Sequence, residues 1–347
     1  MVVRCVLAHP PRPCKPAADA SAAAASTEDT SGLVLLLGIL QSAYESAGRH
    51  ADKQPTDSAD QWLFQQRCVF GTLLKHFQLH ARCSSNWLAA LHERVTSLVP
   101  PSYRRLHPFA APPVAAARHL ELKAFRQRGL ISCCALMVAY QQLVVSTIQS
   151  LVGYGIPSDD ALDVAARYGP IVEVGAGTGY WTAMLRERRV DVVAYDLQPP
   201  THNASNPFFG QAMYAEVRRG DAAALFQKPE LAPLLRGRSL LVVWPNNADW
   251  LDNPHVVPPS CPRTPPWDAA CLEAFLAAGG TTVLYAGERE AVVQRQITLA
   301  GAAPDCGNSS SRRFQQLLAE HFELVEQVDL PSWWVQADDL TVWRRRS

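Results

Sequence analysis

The segment of this sequence best equipped for chemistry is Glu173-Val-Gly175-Ala-Gly177-Thr-Gly179, which follows the β-branched run Ile171 to Val174 and precedes a helical stretch from Trp181 to Arg188. Glycines at a strand-to-helix turn let the backbone adopt positive φ and approach a nucleotide-like ligand closely, because no Cβ intervenes. A dinucleotide loop needs its third glycine one position later, where this chain has Tyr180. No Gly-Lys-Ser/Thr is present, so no lysine reaches for a phosphate. The spacing argues for a ligand without a pyrophosphate. Asp196 closes the next apolar run, where a carboxylate can accept both hydroxyls of a ribose. Asp221, in Gly220-Asp221-Ala222, stands after the run beyond that. Each acid also has a plain structural reading: a turn before Pro199-Pro200 for Asp196, a helix N-cap for Asp221.

Other candidates are more isolated. Trp244-Pro245-Asn246-Asn247 ends the fourth apolar run, and Asn246 or Asn247 is placed to hold a polar substrate. A rigid proline turn facing water is the competing reading. Glu288, expected just past the fifth strand, is a candidate general base or substrate contact, with a surface carboxylate as the favoured alternative. His76 and His80 sit one helical turn apart, yet no H-E-x-x-H glutamate and no third ligand accompany them, so no metal site is expected. No G-x-S-x-G elbow supports a hydrolase. Arg344 to Arg346 reads as a solvated chain end.

Residues of these kinds must be carried on defined elements. From Gly169 onward, short β-rich runs alternate with helical stretches, the texture of a doubly wound α/β sheet. Strands are predicted at Ile171 to Val174, Val190 to Tyr195, Ala215 to Arg218, Ser239 to Trp244, Thr281 to Tyr285, Glu323 to Leu330 and Leu340 to Arg344. The intervening helices are predicted at Trp181 to Arg188, Asp221 to Gln227, Trp267 to Ala278 and Arg312 to Phe322. The last two strands leave no room for a crossover helix, which predicts an antiparallel hairpin. Ser158-Asp159-Asp160 has the chemistry of a helix start: a hydroxyl cap, then acids beside the positive end of the dipole.

Upstream, Phe70, Leu73, Leu74 and Phe77, then Leu88, Leu91, Val95 and Leu98, recur at helical spacing, and an apolar helical stretch is predicted from about His119 to Val152. Residues 59–155 are therefore expected to form an all-helical cap, and 156–347 the ligand-binding domain. Residues 1–58 lack sustained periodicity apart from Leu33 to Tyr44, and are expected to be a weakly ordered tail carrying at most one docking helix.

The pattern of Glu173, the G-x-G-x-G loop, Asp196 and Asp221 resembles the class I S-adenosylmethionine-dependent methyltransferases over about Pro157 to Arg346. The resemblance implies a seven-stranded Rossmann-like sheet and S-adenosyl-L-methionine as cofactor. It implies that Glu173 serves the methionine ammonium, Asp196 the ribose hydroxyls and Asp221 the adenine amine, with Gly175, Ala176, Gly177, Thr178, Gly179 and Tyr180 around them. More narrowly, Pro170 to Trp181, Leu240 to Pro245, Tyr285-Ala-Gly-Glu288 and Asp338 to Arg344 look like a methyltransferase-like group with E-x-G-A-G-T-G-Y-W and W-P motifs. In amino-group methyltransferases the fourth strand often ends in Asp/Asn-Pro-Pro-aromatic; here Trp244-Pro245-Asn246-Asn247 replaces it. Trp244, Pro245 and Asn246 are the expected substrate contacts. The catalytic group is not fixed by the sequence; Asn246, Asn247 and Glu288 are its candidates.

Lys plus Arg equals Asp plus Glu at 32 each, so the chain has no overall bias toward nucleic acid or an anionic membrane. A small-molecule acceptor is favoured over RNA or protein, and a non-catalytic cofactor-binding scaffold stays open as the reading from another class. The nine cysteines form no C-x-x-C pair, which suits reduced, intracellular thiols in a cytoplasmic protein. Arg4, Arg12, Lys15 and the Ala/Ser-rich run Ala17 to Thr27 resemble an organellar transit segment, the alternative to a tail. No apolar run is long enough to span a bilayer.

Overall fold

A computed structural model of the chain describes residues 29–51, 58–79, 86–100, 133–200, 213–245, 266–289, 309–333 and 336–347. They fall in two compact units, one of residues 1–83, 90–151 and 333–335, the other of residues 84–89, 152–332 and 336–347. Among the described residues, no helix is long and apolar enough to cross a membrane. His80, Asn246 and Asn247 lie outside the described residues.

The first unit is helical. Helix α1, Ser31–Ala51, runs well beyond the short docking stretch expected within a tail. Its leucines explain why: Leu33, Leu36, Leu37 and Leu40 form one helical stripe and are fully buried. They pack chiefly on α2, Ser58–His76, whose inward face is Leu63, Gln66, Val69 and Leu73. Of the apolar set expected on that helix only Leu73 is fully buried, while Phe70, Leu74 and Phe77 are half-buried, a face rotated by about one residue. The next helix, α3, Trp87–Ser97, of which residues 87–89 belong to the second unit, buries Leu88, Leu91 and Val95 as their spacing predicts. The apolar stretch ending near Val152 is described from α4, Cys133–Tyr140, through a π-helical turn, Gln141–Val145, into α5, Ser146–Leu151. Leu136, Met137, Val144, Val145 and Ile148 are buried there, and the buried Thr147 hydroxyl donates to Gln66 Oε1 at 2.6 Å, satisfying both polar groups.

The second unit is a seven-stranded mixed sheet with helices. Its elements are α6, Asp159–Ala166; β1, Ile171–Val174; α7, Tyr180–Glu187; β2, Val192–Asp196; β3, Arg218–Arg219; α8, Ala222–Leu225; α9, Ala232–Leu235; β4, Ser239–Val243; α10, Trp267–Ala277; β5, Thr282–Glu288; α11, Arg312–His321; β6, Phe322–Asp329; and β7, Asp338–Arg345. The strand order is β3-β2-β1-β4-β5-β7-β6. Strands β1 to β5 are parallel, and β7 runs antiparallel to both β5 and β6. The hairpin predicted from the short final connection is thus present, with β7 inserted between β5 and the edge strand β6.

Strand β1 is buried at every position, as expected of a central parallel strand covered on both faces. The edge strand β6 is largely exposed after the buried Phe322 and carries Glu323, Glu326 and Asp329, charges that oppose further strand pairing. Val172, Val174, Leu240, Val242, Leu272, Phe275, Val283, Tyr285, Phe314 and Phe322 belong to one hydrophobic cluster of the sheet. The strand lengths differ from expectation most at β3, β5 and β7, the last of which runs Asp338–Arg345 instead of Leu340 to Arg344. Strand β3 is two residues long, because it pairs only with Tyr195 and Asp196, and β5 continues three residues past Tyr285, because β7 keeps pairing with it as far as Asp338.

Capping fixes the helix starts. Ser158 accepts from Ala161 N–H at 3.1 Å with Asp159 and Asp160 in the first turn, as its sequence predicts. Ser311 caps α11 and also donates its hydroxyl to the buried Asp268 at 2.8 Å, tying the starts of α10 and α11 together. Ser158→Ala removes one cap and is expected to cost about 1 kcal/mol. Thermal denaturation checks this: a fall in Tm of roughly 2 to 4 °C is expected, and an unchanged Tm would mean the cap contributes nothing.

Candidate functional site

The strand order reverses between the parallel neighbours β1 and β4: β2 and β3 lie to one side, β5 to the other. Such a switch point leaves a crevice beyond the carboxyl ends of the strands, where ligands of open α/β sheets bind. A cleft of about 560 Å³ lies there, lined from the ends of β1, β2 and β4, the start of α10, the turn at 152–155 and Leu88.

The glycine turn forms its floor. Gly175, Gly177 and Gly179 all have positive φ, at 73°, 53° and 76°. At Gly175 a Cβ would meet the Trp267 ring at 2.5 Å, so the indole lies directly on the loop and only glycine fits beneath it. Gly179 is the N-cap residue of α7, where its left-handed conformation turns the chain into the helix.

The three acids expected at the site all line the cleft, each held differently. Glu173 is 2% exposed, and the Thr182 hydroxyl donates to it. Burial pushes its carboxyl up from the ordinary 4.5 to about 7, with the Thr182 hydrogen bond opposing the rise. Asp196 accepts from Gly177 N–H at 3.0 Å through one oxygen and from Gln198 N–H at 2.8 Å through the other. Burial raises its pKa, and these two N–H donors oppose the rise. Asp196 therefore braces the glycine turn across the β1–β2 crevice, a role its position in the sequence does not reveal. Asp221 caps α8, accepting from Ala224 N–H at 2.9 Å, so the structural reading of this residue holds whatever else it binds.

Tyr180 turns its hydroxyl away to a segment far upstream: it donates to Asn86 Oδ1 and accepts from Leu88 N–H, both at 3.1 Å. Asn86 in turn donates to Pro157 O at 2.6 Å. Trp87 and Tyr214 pack on the Tyr180 ring, with centroids 5.5 and 5.3 Å away. Trp181 donates from Nε1 to Gly155 O at 3.0 Å, and the Thr178 hydroxyl donates to Val152 O.

Trp244 and Pro245 border the cleft at the end of β4, as expected. Trp244 holds a positive φ of 44°, costly for a bulky residue. Its Nε1 donates to Asp338 Oδ1 at 2.9 Å, and its ring stacks on Tyr154 with centroids 5.4 Å apart and planes 18° from parallel. Glu288 is placed otherwise than expected. It is the last residue of β5 rather than a group beyond it, 3% exposed, opposite Asp338 in the β5–β7 register, and outside the cleft lining. Asp338 is also buried, and burial with the neighbouring Glu288 raises its pKa well above the ordinary carboxyl range.

Tyr154, Leu88, Gln198 and Trp267 line the cleft without having been singled out. Tyr154 stands between Gly153 and Gly155, and that glycine-flanked aromatic was a usable signal. Leu88 carries none, since its neighbours at the site are some ninety positions away in the chain.

No family model matches the sequence, and no curated protein sequence matches it. Among solved structures, the chain is similar to the magnesium protoporphyrin IX methyltransferase ChlM from Synechocystis PCC 6803 with bound SAH, at 9% identity and a TM-score of 0.31 over 54% of this chain and 83% of that one. It is also similar to the glycopeptide N-methyltransferase MtfA complexed with S-adenosyl-L-homocysteine, at 10% identity and a TM-score of 0.30 over 54% and 89% of the two chains. Its strand order 3-2-1-4-5-7-6, antiparallel last strand and glycine turn after β1 make the second unit of this chain a Rossmann-like α/β sheet.

Proposed function

We propose that the chain is an S-adenosylmethionine-dependent methyltransferase whose acceptor is a small molecule. The observation that carries this reading is the convergence of Glu173, Asp196 and Asp221 on one cleft around a turn of three positive-φ glycines. Those residues fit the cofactor's chemistry: a carboxylate for an ammonium, a second for a ribose diol, a third beside an adenine, and bare backbone where the ligand approaches. When bound, the cofactor supplies an activated methyl group on a sulfonium.

On this reading Glu173 orients the amino acid end, Asp196 holds the ribose and Asp221 receives the adenine amine through the oxygen not spent on Ala224 N–H. Gly175, Ala176, Gly177 and Thr178 form the floor, while Gly179 and Tyr180 start the helix behind it. Trp244 and Pro245 border the acceptor side at the end of β4, and Asn246 or Asn247, next in the sequence, is proposed as the polar contact to the acceptor. Glu288 acts behind Trp244 rather than as a base in the cleft. The protein's task is alignment of nucleophile, methyl carbon and sulfur, with water kept out by the apolar walls.

Titration calorimetry with S-adenosylhomocysteine tests the cofactor, and incubation with methyl-labelled cofactor and fractionated cell extract tests transfer. Saturable one-to-one binding with label entering the small-molecule fraction is expected. Binding without transfer to any fraction would favour a cofactor-binding scaffold, and label in RNA or protein would overturn the small-molecule acceptor.

A further inference from the structure

Among the described residues that line the cleft, every ionisable side chain other than tyrosine is an acid: Glu173, Asp196 and Asp221. No lysine, arginine or histidine accompanies them there. Several donors that line it are already engaged within the protein. The indole N–H of Trp181 is held by Gly155 O, that of Trp244 by Asp338 Oδ1, the Thr178 hydroxyl by Val152 O and the Tyr180 hydroxyl by Asn86 Oδ1. These side chains present carbon and π-surface to a ligand instead of hydrogen-bond donors.

On the reading above, Glu173 in β1 stands at the amino acid end of the cofactor, and Asp196 at the end of β2 and Asp221 before α8 stand where the ribose and adenine would lie. The other side, at the end of β4, is the stacked pair Tyr154 and Trp244. A carboxyl oxygen of Asp338 on the Trp244 N–H draws the indole proton outward and enriches the ring in electron density. An electron-rich aromatic face attracts a cation and repels an anion. Among the described lining residues, an acceptor carrying carboxylate or phosphate would meet the charges of Asp196 and Asp221, a partly ionised Glu173 and no basic side chain, whereas a cation is favoured by the acids and rings together.

We infer that the acceptor side takes a flat, positively charged nitrogen compound seated against Tyr154 and Trp244. The inference rests on the methyltransferase reading for which side of the cleft is left to the acceptor. Because S-adenosylmethionine is itself a cation, the decisive measurement is made with the cleft already filled by uncharged-sulfur S-adenosylhomocysteine.

Three probes of one shape separate charge from shape: 1-methylquinolinium, quinoline and quinoline-4-carboxylate, titrated calorimetrically at pH 7.5 into full-length protein saturated with S-adenosylhomocysteine. The quinolinium is expected to bind about tenfold more tightly than quinoline, and the carboxylate more weakly than either. In Tyr154→Leu and Trp244→Leu the quinolinium-to-quinoline ratio is expected to fall toward one. That ratio is measured within a single protein, so a partly unfolded variant does not mimic the result. Asp338→Asn, which keeps an oxygen for the Trp244 N–H, is expected to retain most of it. Equal or tighter binding of the carboxylate overturns the inference, as does quinolinium binding that S-adenosylhomocysteine abolishes. If S-adenosylhomocysteine itself fails to bind, the cofactor reading falls, and the ranking of the three probes on the unliganded cleft still decides its preference for positive charge.

Discussion

Asp196→Ala is expected to weaken S-adenosylhomocysteine binding by about 2 to 4 kcal/mol, roughly 30- to 1000-fold in dissociation constant. The wild-type carboxylate would accept two ribose hydroxyls, and hydrogen bonds to an ionised group are worth about 1.5 to 3 kcal/mol each. Water entering the vacated space offsets part of that sum. The structure adds a second loss, because the same carboxylate holds Gly177 N–H at 3.0 Å and Gln198 N–H at 2.8 Å, and removing it frees the turn on which the ligand rests. Asp196→Asn is expected to be nearly as harmful, since its amide nitrogen must face one of those two backbone donors. Methylthioadenosine shares the ribose and should lose a comparable factor in Asp196→Ala. It lacks an amino acid end, so Glu173→Gln should hardly affect it. Calorimetry with both ligands on both variants reads the pattern, and equal losses of methylthioadenosine in the two variants would overturn the assigned roles.

Glu173→Gln should make the unliganded protein more stable at alkaline pH while weakening its hold on the amino acid end of the cofactor. Burial raises the Glu173 pKa from 4.5 to about 7, so between those values the folded chain keeps a proton that the unfolded chain releases. The group's contribution is fully present below about pH 4.5 and is lost as pH rises through about 7, a change on the order of 3 kcal/mol. Glutamine stays neutral and can still accept from Thr182. Its Tm is therefore expected to exceed that of wild type above pH 8 and to vary less between pH 5.5 and 8.5. Cofactor binding should move the other way. An ammonium requires the carboxylate form, so wild-type affinity for S-adenosylhomocysteine is expected to rise with pH through about 7, and the variant should lose that rise. Thermal scans and calorimetry across this range check both halves. A wild-type slope that survives unchanged in Glu173→Gln would show that Glu173 is not its source.

The two predictions concern residues that the sequence already marked, and the reason is local. A parallel strand buried on both faces must be written as an unbroken apolar run, and the turn leaving it must carry glycine where φ is positive. Ile171 to Gly179 states both requirements within nine consecutive residues, broken only by the buried acid Glu173, which marks the site, and Asp196 and Asp221 occupy equivalent ends of the next runs. Ser158 as a cap and the β6–β7 hairpin are legible for the same reason, since each depends on neighbours a few positions away.

What the tertiary structure decided depends on partners distant in the chain. Nothing near Glu288 announces that β5 pairs with β7 as far as Asp338, yet that register takes Glu288 out of solvent and out of the cleft. Trp267 reads as the first residue of a helix, and only packing sets its ring on Gly175. Leu88 and Asn86 reach the site through the hydroxyl of Tyr180, and Trp244 is oriented by Asp338 from across the sheet. The leucine stripe of α1 was visible as a periodic run, but its full burial required α2 to supply the facing surface. Periodicity and turn chemistry are properties of a short segment and are written in it. Register, burial and the second partner of a hydrogen bond belong to pairs of segments, and they exist only once the chain has brought those segments together.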